Sequence, residues 1–278
     1  MKEVHTGTVQ TDGVAVRFYD SANGASEKTP IVLLHGTGGS AENNFWALFP
    51  MLATRHRVVA LDFVDPDADV PDGDHYVRQV KAVVNAIGAA KPVHIVGYSF
   101  GAVIAALYAA QHHADVASLT LVAGWVRTDN HQRLRNAIWR TLYDTNSDAL
   151  APFSVFTSFS QAFLNAKNDT EIAGLIESAR NGPDRSKKMA FNRNVDISDA
   201  ASRILAPSLV IGCRHDQMVP VRHARMLFAA IKDCRYAEIL SGHGVVHERP
   251  AELFFMIDSF VRDPRRLPAG HVIENMHV

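Results

Sequence analysis

Residues 93–102 read Val93-His94-Ile95-Val96-Gly97-Tyr98-Ser99-Phe100-Gly101-Ala102, an apolar run that closes on Gly-x-Ser-x-Gly and opens an alanine-rich stretch to Gln111. Four apolar-dominated residues in a row predict a strand covered on both faces, and residues 102–111 predict a helix. The serine between them sits on a sharp strand-to-helix turn. Such a turn strains the backbone, and the flanking glycines remove side chains that would clash there. The hydroxyl is then held above the carboxyl edge of the sheet, where crevices form, with the helix N-terminus aiming free N–H groups at developing negative charge. Ser99 is the candidate nucleophile. Small-residue turns between strand and helix are common, so the pentapeptide acquires meaning only from its surroundings.

The same region imitates a membrane span, since residues 92–114 carry no formally charged side chain and that length crosses a bilayer. Gly97, Ser99, Gly101, Gln111 and three histidines interrupt it, and the turn divides it. A buried strand, a turn and a buried helix explain it better, and no membrane partner is expected.

Working outward, the chain alternates strand and helix. Residues 4–10 and 14–19 are extended runs joined by the turn signal Thr11-Asp12-Gly13, a hairpin. Residues 31–34, 57–61, 93–96 and 119–122 predict further strands, and 75–89 a helix striped by Val77, Val80, Val83, Val84 and Ile87. From 125 to 205 no strand-like run occurs. That stretch is helical and dense in aromatics, with Asn168 and Glu171 forming a capping box and Gly182-Pro183 a stop. Strand and helix then resume at 208–211, 221–231, 236–240 and 251–261. Repeated βαβ units require a mostly parallel sheet with helices on both faces. The expected organisation is an α/β core over 1–124 and 206–263, a helical lid over 125–205, and a tail over 264–278 in which no element is legible.

The 278 residues suit one α/β domain, and a formal net charge of −1 gives no electrostatic footprint for nucleic acid. The basic clusters at 185–188 and 262–266 read as solvated faces. The N-terminal residues hold no apolar signal region, which implies a cytoplasmic protein. Cys213 and Cys234 fall at opposite ends of neighbouring strands, too far apart to bridge, and are expected as free thiols. A homo-oligomer is left open.

A serine hydroxyl needs a base, and in strand–turn–helix serine sites the partners follow in the order serine, acid, histidine. Asp216 stands in Gly212-Cys213-Arg214-His215-Asp216 just past a predicted strand, and His243 in Ser241-Gly242-His243 just past the next. Both therefore reach the sheet edge that holds Ser99. The roles expected are nucleophile for Ser99, general base for His243 and orienting acid for Asp216. Among rivals, His35 more often orders a loop, His215 projects elsewhere, and His247 competes most directly with His243. Asp129 follows the sixth strand, where some hydrolases carry the acid, but lies several residues too far along. No convergent ligand set supports a metal at His243 and His247.

GYSFG around Ser99, GCRHDQMVP around Asp216 and GHGVVHERP around His243 resemble the elbow, acid turn and histidine loop of the α/β-hydrolase superfamily. The likeness covers nearly all of residues 14–262 and is nearest in style to the esterase, lactonase and cofactor-free haloperoxidase branch, as is the LVAGW text ending at Trp125. Ala102 departs from the second glycine that many relatives carry, a change expected to tighten helix packing. His35-Gly36-Thr37-Gly38-Gly39 resembles the family's oxyanion loop. The resemblance implies that the amides of Thr37 and Phe100 hold the oxyanion, with Gly38 as the competing donor. Gly36, Trp125 and Phe159 are the expected substrate contacts, and no cofactor is implied.

Two other functional classes compete with this reading. Gly36 to Ala41 satisfies G-x-G-x-x-A after a strand, with Asp62 ending the next, as in dinucleotide sites; that leaves GYSFG idle. A hydrolase-fold ligand receptor with little turnover would favour a degraded triad, whereas all three members are present. The expected activity is hydrolysis of an ester, lactone or thioester of a small to medium, largely apolar small molecule. The alternatives are C–C bond cleavage of a diketone, or acyl transfer or cyclisation with the same triad.

Overall fold

The computed structural model describes residues 4–22, 29–88 and 92–274. The hairpin pairs β1 (His5–Thr11) with β2 (Val14–Asp20), closed by Asp12 and Gly13 at φ 47° and 76°. Two consecutive positive φ values are what a two-residue turn matched to strand twist requires. There follow β3 (Ile31–Leu34), α1 (Ala41–Phe45), α2 (Leu48–Ala53), β4 (Val58–Leu61), α3 (Gly73–Ala86), β5 (Val93–Tyr98), α4 (Phe100–Gln111) and β6 (Val116–Val122). The end of the 75–89 helix reading, at Ala89, lies outside the described residues.

Between β6 and β7 (Ser208–Cys213) the chain is helical: α5 (Asn130–Asp144), α6 (Leu150–Ser158), α7 (Gln161–Asn165), α8 (Asp169–Arg180), α9 (Ser186–Asn192) and α10 (Ser198–Ser202). Asn168 caps α8 in a reciprocal box with Glu171. The core resumes with β7, α11 (Arg222–Ala230), β8 (Cys234–Ile239), α12 (Val245–Glu248) and α13 (Pro250–Arg262). A short edge strand, β9 (Val272–Ile273), then lies parallel to β8, within the tail where the sequence showed no element.

Among the described residues the strands form one sheet in the order β1-β2-β4-β3-β5-β6-β7-β8-β9. The β1–β2 and β2–β4 pairs are antiparallel, and every pair from β4–β3 onward is parallel. The continuous apolar runs are the interior strands. Val32 and Leu34 face one core with Ile95, Tyr76 of α3 and Ile104 of α4; Ile31 and Leu33 face the other with Phe45, Leu52 and Ile257. Alternate residues of one strand thus serve two cores, and polarity has no room on either face. Parallel pairing puts the carboxyl ends of β3, β5, β6, β7 and β8 along one edge, and the loops leaving that edge carry the site.

Ser208 pairs with Cys234 and Cys213 with Ile239, so the two cysteines stand at opposite ends of adjacent strands, buried and unbridged. Among the described residues no helix is long and apolar enough to cross a membrane; residues 92–114 are divided between β5, the turn and α4.

The basic cluster 185–188 is not a solvated face. Lys188 is 5% exposed and paired with Asp65 at 2.6 Å, and Lys187 donates to the Pro66 carbonyl. These lysines tie the helical segment to the loop after β4, a contact invisible in a local window of sequence.

Candidate active site

Ser99 occupies the junction of β5 and α4 at φ 55° and ψ −118°. For a residue with a Cβ this conformation costs on the order of 1–3 kcal/mol and persists only when its surroundings enforce it. Those surroundings are tight: a Cβ on Gly97 would collide with the Gly101 carbonyl, and one on Gly101 with the Leu34 carbonyl. The Ser99 amide donates to Val122 of β6 at 2.8 Å. The Ala102 methyl, the departure from the family pattern, fills space left by Gly124, where a Cβ would stand 2.8 Å away.

His243, on the loop after β8, places Nε2 2.8 Å from Ser99 Oγ and Nδ1 2.7 Å from Asp216 Oδ2. The other Asp216 oxygen accepts the Met218 and Val219 amides, each at 2.8 Å. All three residues are buried. With its lone pairs occupied by two N–H donors and the imidazole, Asp216 has one orientation, and it directs the histidine proton to Nδ1 and the free lone pair toward the serine.

The histidine loop is braced from two sides. Tyr98 donates its hydroxyl to the His243 carbonyl at 2.9 Å. Glu248 Oε1 accepts the amides of Gly242 (3.0 Å) and Ser160 (2.8 Å), while Oε2 accepts the Ser160 hydroxyl at 2.6 Å. Gly244 donates to the Ser158 carbonyl at 2.7 Å. The helical segment is therefore fastened to the loop that carries His243. None of these supports was legible in the sequence, although Glu248 lies in the quoted HERP text.

The rival residues have other duties. His35 accepts the Phe63 amide on Nε2 (3.0 Å) and donates to the Gly36 carbonyl from Nδ1 (2.8 Å), and burial lowers its pKa to about 4. His215 is exposed. His247 accepts the Trp46 indole N–H at 3.1 Å and sits on the cavity wall. Asp129 caps α5 and bonds His223 Nε2 at 2.7 Å. Asp62 accepts the Ala41 amide and the Tyr19 hydroxyl, closing the Gly36–Ala41 loop rather than facing a ribose.

Ser99 and His243 open into a cavity of about 870 Å³. Its wall includes Gly36, Thr37, Gly38, Trp125, Trp139, Phe159 and Met218. Trp125 is 2% exposed and bonded through its indole to Thr128 at 3.0 Å, so it belongs to the core as much as to the wall. Phe159 is half-buried and stacked on Phe163 with ring centroids 4.8 Å apart. Asn44 Oδ1 accepts the Gly36 amide (2.9 Å) and Asn192 Nδ2 donates to Thr37 Oγ1 (2.9 Å), which fixes the loop facing the serine.

Residues 29–250 match the family model of the alpha/beta hydrolase fold. A pyrrolizixenacetamide deacetylase of Xenorhabdus hominickii is 31% identical over 83% of this chain and 90% of its own length. The monoacylglycerol lipase abhd6-B of Xenopus laevis is 26% identical over 87% of this chain and 78% of its own. Among solved structures, MGS-M2, an alpha/beta hydrolase enzyme from a Medee basin deep-sea metagenome library, superposes at a TM-score of 0.81 with 16% identity. The match covers 98% of this chain and 100% of that one.

Proposed function

The chain belongs to the α/β-hydrolase fold family and is a serine hydrolase, and we propose that it cleaves an ester, lactone or thioester through an acyl-enzyme on Ser99. The observation that carries this reading is the hydrogen-bonded line from Asp216 through His243 to Ser99, ending at the head of α4 in a cavity. As Ser99 Oγ attacks the carbonyl carbon, its proton passes to His243 Nε2, and Asp216 stabilises the imidazolium from the Nδ1 side. The carbonyl oxygen becomes an alkoxide, held by the amides of Thr37 and Phe100. Collapse of the tetrahedral species expels the leaving group, which takes the proton from Nε2. Water then repeats the sequence on the acyl-enzyme with His243 again as base, and the acid product leaves.

The helical segment from 125 to 205 acts in this reading as a lid, Phe159 with Gly36 shapes the acyl pocket, and Trp125 backs its wall from the core. Pockets for small molecules are mostly apolar with few polar groups, and the aromatic share of this wall suits a small to medium acyl group. The deacetylase relative brings amide cleavage within the same chemistry, since only the leaving group differs.

A fluorophosphonate probe tests the nucleophile: it labels the wild type, and Ser99→Ala removes both the label and turnover of p-nitrophenyl esters by several orders of magnitude. His243→Ala behaves like the serine variant, whereas His247→Ala keeps most activity. Wild-type ester turnover in Ser99→Ala refutes the reading, and the reverse histidine pattern moves the base to His247.

A further inference from the structure

The cavity wall carries three arginines that acyl transfer does not use: Arg180, paired with Glu177, and the two at issue, Arg135 from α5 and Arg185 from the turn before α9. Among the described residues neither is paired with a carboxylate. The nearest acid in sequence, Asp184, is occupied by the Tyr143 hydroxyl and by the amide and hydroxyl of Ser186. Asp184 acts on Arg185 only through space, and the direct contacts of the Arg185 guanidinium are to neutral groups. Its Nη2 donates to Ser154 Oγ at 2.6 Å, and its guanidinium lies over the Trp139 ring, 5.4 Å from the centroid. Its other flank rests on the loop facing Ser99, where a Cβ on Gly38 would stand 3.0 Å from Nη1. Arg135 has a buried Nε with no hydrogen-bond partner.

Burial lowers the pKa of both arginines: Arg135 falls to about 10, chiefly by burial and further by repulsion from Arg185, with Asp216 opposing, and Arg185 falls by burial with Asp184 opposing. A buried, unpaired cation is costly unless something supplies the missing charge. Two half-buried arginines on one cavity wall present the planar, multiply donating geometry that suits a carboxylate. Wall residues of this kind, in ion-pair contact with none of the protein's own acids among the described residues, are explained by a partner that arrives with the substrate.

We propose, on the acyl-transfer reading of this cavity, that the substrate bears a carboxylate gripped by Arg135 and Arg185 beside the Gly36–Gly39 loop, close to the bond that Ser99 attacks. The substrate class is then a hemi-ester or a lactone or thioester acid, not a neutral ester. The aromatic walls still take the intervening carbon skeleton, and the carboxylate sets its direction in the pocket.

Two ester pairs test this, each matching a carboxylate to its uncharged carboxamide. p-Nitrophenyl hemiglutarate against p-nitrophenyl glutaramate places the charge on the acyl side, and 4-acetoxybenzoate against 4-acetoxybenzamide places it on the leaving group. Wild-type kcat/KM should favour the acid in one pair by roughly ten- to a hundredfold, the scale of hydrogen bonds to a charged group. In Arg135→Met and Arg185→Met that ratio should fall toward one; being a ratio within each variant, it is unaffected by partial loss of folded protein. Calorimetric titration of Ser99→Ala with glutarate and with glutaramide gives a reading that needs no turnover. There the acid should bind and the diamide should not, and the arginine substitutions should abolish the difference. Equal kcat/KM within both pairs together with equal glutarate and glutaramide binding overturns the proposal. Selective acid binding without ester turnover upholds the anion site and instead refutes the acyl-transfer reading.

Discussion

The hydroxyl of Tyr98 donates to the main-chain carbonyl of His243 at 2.9 Å, so the residue preceding Ser99 anchors the loop that carries the histidine facing it. Serine and histidine approach from different strands, β5 and β8, and this bond measures one against the other. Tyr98→Phe keeps the ring and removes one of two donors to that carbonyl, the Val245 amide remaining at 2.9 Å, at a cost of about 0.5–1.5 kcal/mol. A loosened histidine lowers kcat while substrate contacts stay in place. The expected result is a kcat reduced on the order of tenfold with KM nearly unchanged, and a modest fall in melting temperature. An unaltered kcat would show that Glu248 and the Gly244–Ser158 bond set the loop without Tyr98.

Ser99→Gly should stabilise the protein while removing its activity. The wild-type serine sits at φ 55°, a conformation glycine adopts without steric cost. Relief of strain of about 1–3 kcal/mol exceeds the extra entropy that glycine brings to the unfolded chain, about 0.5–1 kcal/mol. For a protein of this size each net kcal/mol raises the melting temperature by roughly 2–4 °C. A glycine variant melting below the wild type would mean that the strain is not stored at this residue.

The strands were legible because an interior parallel strand has no polar face, and Ile31, Val32, Leu33 and Leu34 are all fully buried. The three candidate site residues were legible because each lies within four residues of the end of such a strand, so chain position stood in for spatial position. α1 and α2 were not, since two helices of 5 and 6 residues leave too few turns for a periodicity to register. β9 is two residues long and gains its place only from β8. Glu248 acts on Ser160, 88 positions away, and Arg185 read as surface because its neighbours in sequence are charged. Such roles are set by which segments meet, and composition carries no record of that.

Acid should weaken the fold through His35 and His94. Burial lowers each to about 4, against about 6.5 in an unfolded chain. The unfolded state therefore binds the proton first, so stability is full above about pH 6.5 and is lost as pH falls toward 4. Between pH 7 and 5 each histidine removes about 2 kcal/mol. Protonating His35 also forfeits the Phe63 amide, which needs a lone pair on Nε2. Denaturant midpoints measured at both values check this. His94→Asn should flatten its share of the decline, and an equal decline in that variant would assign the effect elsewhere.

The two aromatic residues expected at the substrate should separate on trimming. Trp125 is 2% exposed, bonded to Thr128 and packed in the core beneath the cavity. Its replacement by alanine should cost about 3–5 kcal/mol of stability and lower turnover on every substrate alike. Phe159 is half-buried, stacked on Phe163 and in the cavity wall, so the same change there removes mainly a substrate contact. A contact worth about 1–3 kcal/mol shifts chain-length preference by roughly ten- to a few hundredfold. Because the Phe159 ring also packs at Gly244, where a Cβ would stand 2.8 Å from it, Phe159→Leu is the milder companion that keeps the histidine loop supported. Thermal unfolding recorded beside kcat/KM on short and long p-nitrophenyl esters distinguishes the two roles. If both Phe159 variants melt early and rank the esters as the wild type does, that ring is core, and the acyl group lies along another part of the wall.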